Sequence, residues 1–178
     1  MSLMLALLRA LVPFAHASLF IVFPIALNNL SNTAESPVDG PALMLLTHEL
    51  QSRLAECGYA VSPIDSAPPP LSDWPRGYYF DHPDLAAAWA APRRPDWVLV
   101  GRLNRVSPWV ADLEVRVVSG PDNRLLATRI VELKGFGMNP DLTSRLANRG
   151  AAWIVDQILQ TLAKTASDAT NAVRPCPA

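Results

Sequence analysis

The stretch from Trp97 to Lys134 constrains the fold of this chain more than any other. It holds three runs rich in Val, Leu, Ile and Trp, separated by Ser107-Pro108 and by Ser119-Gly120-Pro121-Asp122-Asn123, the pattern of consecutive antiparallel strands. From Val110 to Val118 the residues Ala111, Leu113, Val115 and Val117 fall on one face, and Asp112, Glu114 and Arg116 on the other. That period of two describes a strand with one wet side. The run from Trp97 to Val106 opens with Trp97, Val98, Leu99 and Val100, apolar on both parities, so it reads as a central strand covered on both faces at that end. Gly101 inside it marks a bulge or a close approach by another element. The third run, Leu125 to Lys134, follows a turn that needs one positive φ, at Gly120 or Asn123.

The rest of the chain is placed against this meander. Leu19 to Leu27 (LFIVFPIAL) reads as one buried first strand, with Pro24 at an edge or a bulge because it has no N–H to give a ladder. A polar loop from Asn28 to Pro41 leads into a helix from Pro41 to Cys57, whose Leu43, Leu46, Leu50 and Leu54 form one stripe and whose stop is Gly58. Tyr59 to Ile64 gives a second strand and completes a β-α-β unit. Asp65 to Tyr79 is a proline-rich excursion that cannot be regular structure, and Pro83 to Ala90 is a short helix with Asp81 as its cap. After the joint Gly135 to Pro140, Asp141 caps a last helix from Leu142 to Lys164, with Leu142, Leu146, Trp153, Ile154, Ile158 and Leu162 facing the sheet. The fold class is α/β: a mixed sheet of about five strands, β-α-β and then a three-stranded antiparallel meander, with helices packed on it. Residues 18–164 form a single domain and 165–178 a disordered tail.

Residues 1–17, MSLMLALLRALVPFAHA, end in Ala15-His16-Ala17 and read as a secretory signal peptide cut after Ala17. Arg9, Pro13 and His16 interrupt the apolar run that an anchor helix would need, so contact with a membrane is expected only through this segment if it stays uncleaved. Fifteen basic and 16 acidic residues leave no basic field for nucleic acid. The two cysteines, Cys57 and Cys176, match no metal spacing. The favoured expectation is two unpaired thiols with Cys57 partly buried; the alternative is a bridge tethering the tail, which needs an oxidising compartment.

Residues with chemistry in them are few. His48 lies in the first helix with no ligand partner at metal spacing; Asp81, His82 and Asp84 resemble a small acid-base group, but capping of the short helix accounts for Asp81 and Asp84. Ser107 sits at a strand end outside any nucleophile elbow. The expectation is therefore no enzyme, no metal and no cofactor. A possible partner surface has two parts: the aromatic group Trp74, Tyr78, Tyr79 and Phe80, and the wet strand face Asp112, Glu114 and Arg116.

The order of elements resembles the small periplasmic domain at the amino end of TolB and the CsgG-like secretion proteins. Several short pieces also resemble a bacterial family of uncharacterised, exported proteins: Phe23-Pro24, Leu46 to Leu50, Val98 to Ser107, Leu113 to Val118, Lys134-Gly135 and Arg149-Gly150. Members of that family often carry a cysteine pair before the short middle helix. This chain reads Arg76-Gly77-Tyr78-Tyr79-Phe80 there, so no redox or metal role tied to that pair carries over. The resemblance implies a non-enzymatic periplasmic accessory or binding protein, linked to a quinoprotein oxidation system and partnered by another envelope protein. The alternative it leaves is a structural component of a cell-envelope assembly or secretion complex, although the usual lipid-anchoring cysteine at the mature start is missing before Cys57.

Overall fold

The computed structural model describes residues 18–31, 34, 39–64, 77–166, 173 and 176. The strands are β1 (Leu19–Val22), β2 (Ala26–Asn29), β3 (Ala60–Pro63), β4 (Trp97–Ser107), β5 (Val110–Ser119) and β6 (Leu125–Lys134). The helices are α1 (Asp39–Glu56), α2 (Tyr78–Asp81), α3 (Pro83–Ala90) with a 3-10 turn at Ala91–Arg93, and α4 (Pro140–Ala166). They form a mixed sheet of order β3-β1-β4-β5-β6, with β2 also pairing β4. β1 runs parallel to β3 and β4, while β4, β5 and β6 are antiparallel in sequence order. None of the helices among the described residues is long and apolar enough to cross a membrane.

Pro24 is where the first strand departs from expectation. Instead of one strand there are two, each parallel to β4, and Pro24 lies exposed in the break between them rather than at an edge of the sheet. Phe23 still donates its N–H to Leu99 O (2.9 Å), but proline cannot continue the ladder, and the next donor, Ile25 N–H, goes to Thr47 Oγ1 on α1 (3.0 Å). The Ile25 side chain then folds over Gly101, where any Cβ would overlap its Cδ1. This is the close approach that the glycine inside β4 announces.

The hairpin between β5 and β6 turns on Asn123, which takes the positive φ of 55°, and Ser119 N–H closes it on Arg124 O at 2.9 Å. Gly120 is needed for a different reason: its N–H bonds Asp96 O (2.9 Å), and a Cβ there would run into the Pro95 carbonyl. Gly58, at φ 85°, ends α1 by donating to Ala55 O (2.9 Å).

Two apolar layers cover the sheet. On one face α1 contributes Leu46, Leu50 and Leu54 and α4 contributes Ala147, Ala151, Ile154, Ile158 and Leu162, packed on Phe20, Leu99, Leu103, Leu113, Val115 and Val117. On the other, α2 and α3 bury Phe80, Ala86, Ala87 and Ala90 against Ile21, Phe23, Val98, Val100 and Val118. The doubly apolar start of β4 is thus covered on both sides. The helices differ from the sequence reading at several points: α1 begins at Asp39 rather than Pro41, and Tyr78 and Tyr79, at the end of the proline-rich excursion, are helical and open α2. Asn139, not Asp141, caps α4, accepting Leu142 N–H at 2.8 Å. Asp81 ends α2 and does not cap α3, whose N-cap is His82 with no side-chain bond. Trp153 is 44% exposed, because the small residues Ala147, Gly150 and Ala151 let α4 approach the sheet; Leu133 Cδ2 stands 3.0 Å from where a Gly150 Cβ would be.

Candidate interaction surfaces

The wet face of β5 is a charged network tied to α2. Register places Arg102 opposite Glu114 and Asn104 opposite Asp112. Arg102 Nη2 reaches Glu114 Oε2 at 3.4 Å and its Nη1 reaches Asp81 Oδ1 on α2 at 3.0 Å, while Arg116 Nη1 donates to Phe80 O at 2.9 Å. The two guanidiniums lie against the Phe80 ring, Arg102 Cζ at 4.2 Å and Arg116 Cζ at 4.1 Å from its centroid. A ring quadrupole attracts cations over its faces, so Phe80 and the two arginines pin α2 to the sheet. The Nε–H of Arg102 and of Arg116 is buried without a hydrogen-bond acceptor among the described residues.

The aromatic residues divide. Phe80 is 1% exposed and belongs to the interior rather than to a surface. Tyr79 packs its ring 5.1 Å from that of Phe23, and burial, with the neighbouring Tyr78 phenol adding to it, pushes its hydroxyl above the ordinary tyrosine range. Tyr78 stacks on His82 at 4.3 Å. Trp74 lies outside the described residues. Of the charged trio, Glu114 and Arg116 are engaged as above, with Arg116 Nη2 also 3.7 Å from Glu114 Oε1. Asp112, half-buried, stands between Asn104 and Glu132 across the strands.

The candidates for chemistry are scattered. His48 is exposed on α1, with Nε2 3.4 Å from Ser52 Oγ. His82 and Asp84 are exposed at the head of α3. Ser107 Oγ is committed to the turn between β4 and β5, accepting the N–H groups of Trp109 (3.2 Å) and Val110 (3.1 Å).

The cysteines overturn the favoured expectation of free thiols. Cys57, just past α1, and Cys176 are joined in a disulfide with Cα atoms 4.4 Å apart, and Val173 and Cys176 pack against the main core. The Asp156 carboxylate stands beside them, held by Arg53 Nη2 at 3.4 Å. The pairing spans 119 residues, a contact with no local signature.

No family model matches the sequence, and no curated protein matches it as a relative. The fold itself is shared. Protein XCC0632 from Xanthomonas campestris, of the family DUF330, has a TM-score of 0.52 at 12% identity, over 86% of this chain and 90% of that one. TolB from Acinetobacter baumannii scores 0.50 at 13% identity over 83% of this chain, which spans only 29% of TolB. A PelC dodecamer from Paraburkholderia phytofirmans scores 0.50 at 13% identity, over 78% of this chain and 86% of that one. Identities this low establish architecture alone. The architecture fits the expected likeness to TolB.

Proposed function

We propose that this chain is a non-enzymatic accessory protein of the bacterial cell envelope, exported to the periplasm, that acts by binding another envelope protein. The observation that carries the reading is the Cys57–Cys176 bridge. Disulfides persist in oxidising compartments and are rare in the reducing cytosol, which agrees with the signal-like segment before Ser18. The architecture shared with TolB supports it as analogy. The resemblance to the exported family implies a link to a periplasmic quinoprotein oxidation system, with the partner an envelope protein.

A second reading, a structural component of an envelope assembly, has its own support. β6 is an edge strand of ten residues carrying exposed Leu125 and Ile130, and PelC, of the same architecture, is a dodecamer. Fractionation of the native producer, sequencing of the mature amino terminus and thiol alkylation under non-reducing conditions test both. Export with no alkylatable thiol supports the proposal. Cytoplasmic retention with two free thiols sinks it, and recovery of a large homo-oligomer on sizing favours the second reading.

A further inference from the structure

Between α1 and the first turns of α4 lies an open groove of about 580 Å³, lined in part by Leu146, which also packs against the main core. Its α4 wall carries Leu142, Arg145, Leu146 and Arg149, and its α1 wall carries Glu49, which accepts Asn148 Nδ2–H at 3.0 Å. Leu142 and Leu146 are one helical turn apart and half-exposed, so they form an apolar strip along the groove. The strip continues past the helix: Met138 Sδ and Leu142 Cγ lie 3.5 and 3.8 Å from where a Gly135 Cβ would stand, and Met138 is 47% exposed.

Arg145 and Arg149 flank this strip, again one turn apart, and both are exposed. Neither has an ion pair or hydrogen bond among the described residues, unlike Arg53, Arg102, Arg105 and Arg116. A row of apolar side chains beside two uncompensated guanidiniums complements one kind of occupant: a helix with leucine-like residues on one face and carboxylates on the next. We infer that this groove docks an acidic amphipathic helix of the partner protein, an inference that rests on the accessory reading and names its contact surface. A lipid surface suits the site less well. The groove is concave between two helices, a shape that a helix fills and a broad bilayer face does not, while Glu49, which would repel phosphate and carboxylate alike, is engaged by Asn148 Nδ2.

The test uses the purified, disulfide-bonded protein and a labelled helical peptide of about fourteen residues, enough for nearly four turns, with leucines on one face and glutamates on the other. Its counterpart carries glutamine for every glutamate. The glutamate peptide should bind with a Kd about tenfold lower than the glutamine peptide, the gain expected of two solvent-edged charge pairs, and the advantage should shrink as salt rises. The double variant Arg145→Glu/Arg149→Glu should erase that preference and each single reversal should reduce it, whereas Arg124→Glu, a single reversal on the β5–β6 turn, should leave it intact. Unchanged thermal melting of these variants keeps the comparison valid, because all three positions are exposed. Equal binding of the two peptides, or a preference untouched by the double variant, overturns the inference. So does sedimentation with phosphatidylglycerol vesicles that is lost in the double variant while no peptide binds, since that outcome assigns the arginines to a membrane. The two readings fail separately: a cytoplasmic protein that still prefers the glutamate peptide loses the envelope role and keeps the groove, and an exported protein without the preference does the reverse.

Discussion

Replacing both cysteines, Cys57→Ala and Cys176→Ala, should lower stability by as much as any substitution in this chain. The bridge joins residues 119 positions apart. In the chain-entropy account, closing a loop of that length restricts the unfolded ensemble by about 2.1 + 1.5R ln n cal/mol/K, which comes to about 5 kcal/mol at 25 °C. Alanine is chosen because Cys57 is buried, and a serine hydroxyl there would add a desolvation cost unrelated to the crosslink. For a folded unit of this size each kcal/mol corresponds to about 2 to 4 °C in Tm, so the expected fall is about 10 to 20 °C in a calorimetric scan. Reducing agent added to the wild-type protein should reproduce most of that fall and should leave the double variant unaffected. A double variant melting within about 2 °C of wild type, or two thiols titrating in the exported protein, would refute the reasoning. Either result would also remove the observation on which the envelope reading stands.

Three further outcomes follow from single contacts. Asp39 and Arg105 side chains are 6% and 12% exposed and make a two-point pair, Arg105 Nη1 to Asp39 Oδ2 at 2.8 Å and Nη2 to Oδ1, so Asp39→Asn leaves a buried guanidinium without its carboxylate; a loss of about 3 kcal/mol in urea unfolding is expected. Gly120→Ala should cost about 2 kcal/mol and Gly101→Ala about half of that, because the new Cβ meets the Pro95 backbone carbonyl in the first case and only the end of the Ile25 side chain in the second; the reverse order of urea midpoints would contradict the packing argument. The Asp122 carboxyl is held below its ordinary value chiefly by the Ser119 side chain, with Arg124 assisting, so whatever stability this supplies is present above the unfolded carboxylate range and is lost as pH falls through the folded value. Ser119→Ala should move the Asp122 carbon resonance titration upward in an NMR pH series, and an unmoved curve would assign the lowering to Arg124.

What the sequence made legible was what local periodicity controls. The alternation from Val110 to Val118 placed Leu113, Val115 and Val117 in the core, and the two-sided apolar start of β4 anticipated cover on both faces. Turn chemistry narrowed the positive φ of the β5–β6 turn to Gly120 or Asn123, and it falls on Asn123. Non-local pairings were not legible. Nothing near Phe80 in the chain announces that two arginines from neighbouring strands will close on its ring, since it is register that aligns Arg102 and Arg116 beneath α2. The same holds for Cys57 and Cys176. In α4 the apolar stripe holds at Ile154, Ile158 and Leu162 and fails at Trp153, because size counts for more than hydrophobicity there: Gly150 against Leu133 lets the helix approach the sheet, and Trp153 faces outward. The candidate surface was half legible, since Glu114 and Arg116 do lie on the polar side of β5, but register also brings Arg102 of β4 to Glu114, and Arg116 reaches the Phe80 carbonyl on α2.

Helix α1 is held at its two ends by different chemistry, and this separates stability from binding. Its first residue, Asp39, is locked to Arg105 at the end of the sheet where the β6–α4 loop passes, with Gly137 beside the Arg105 guanidinium. Its far end is fixed through Cys57 to the segment after α4. The groove lies between these anchors, and its α4 wall is the part of that helix next to the same loop, whose Gly137 N–H is held by Thr143 Oγ1 at 2.9 Å. Loss of the disulfide therefore lowers global stability while leaving the wall formed by Leu142, Arg145 and Arg149 in place. Loss of the Asp39 charge frees the end of α1 that faces that wall. At a temperature where both variants remain folded, the glutamate peptide should bind the cysteine-free protein as it binds wild type and should bind Asp39→Asn several-fold more weakly. Equal weakening in both would mean that the groove follows overall stability and is not organised by the ion pair.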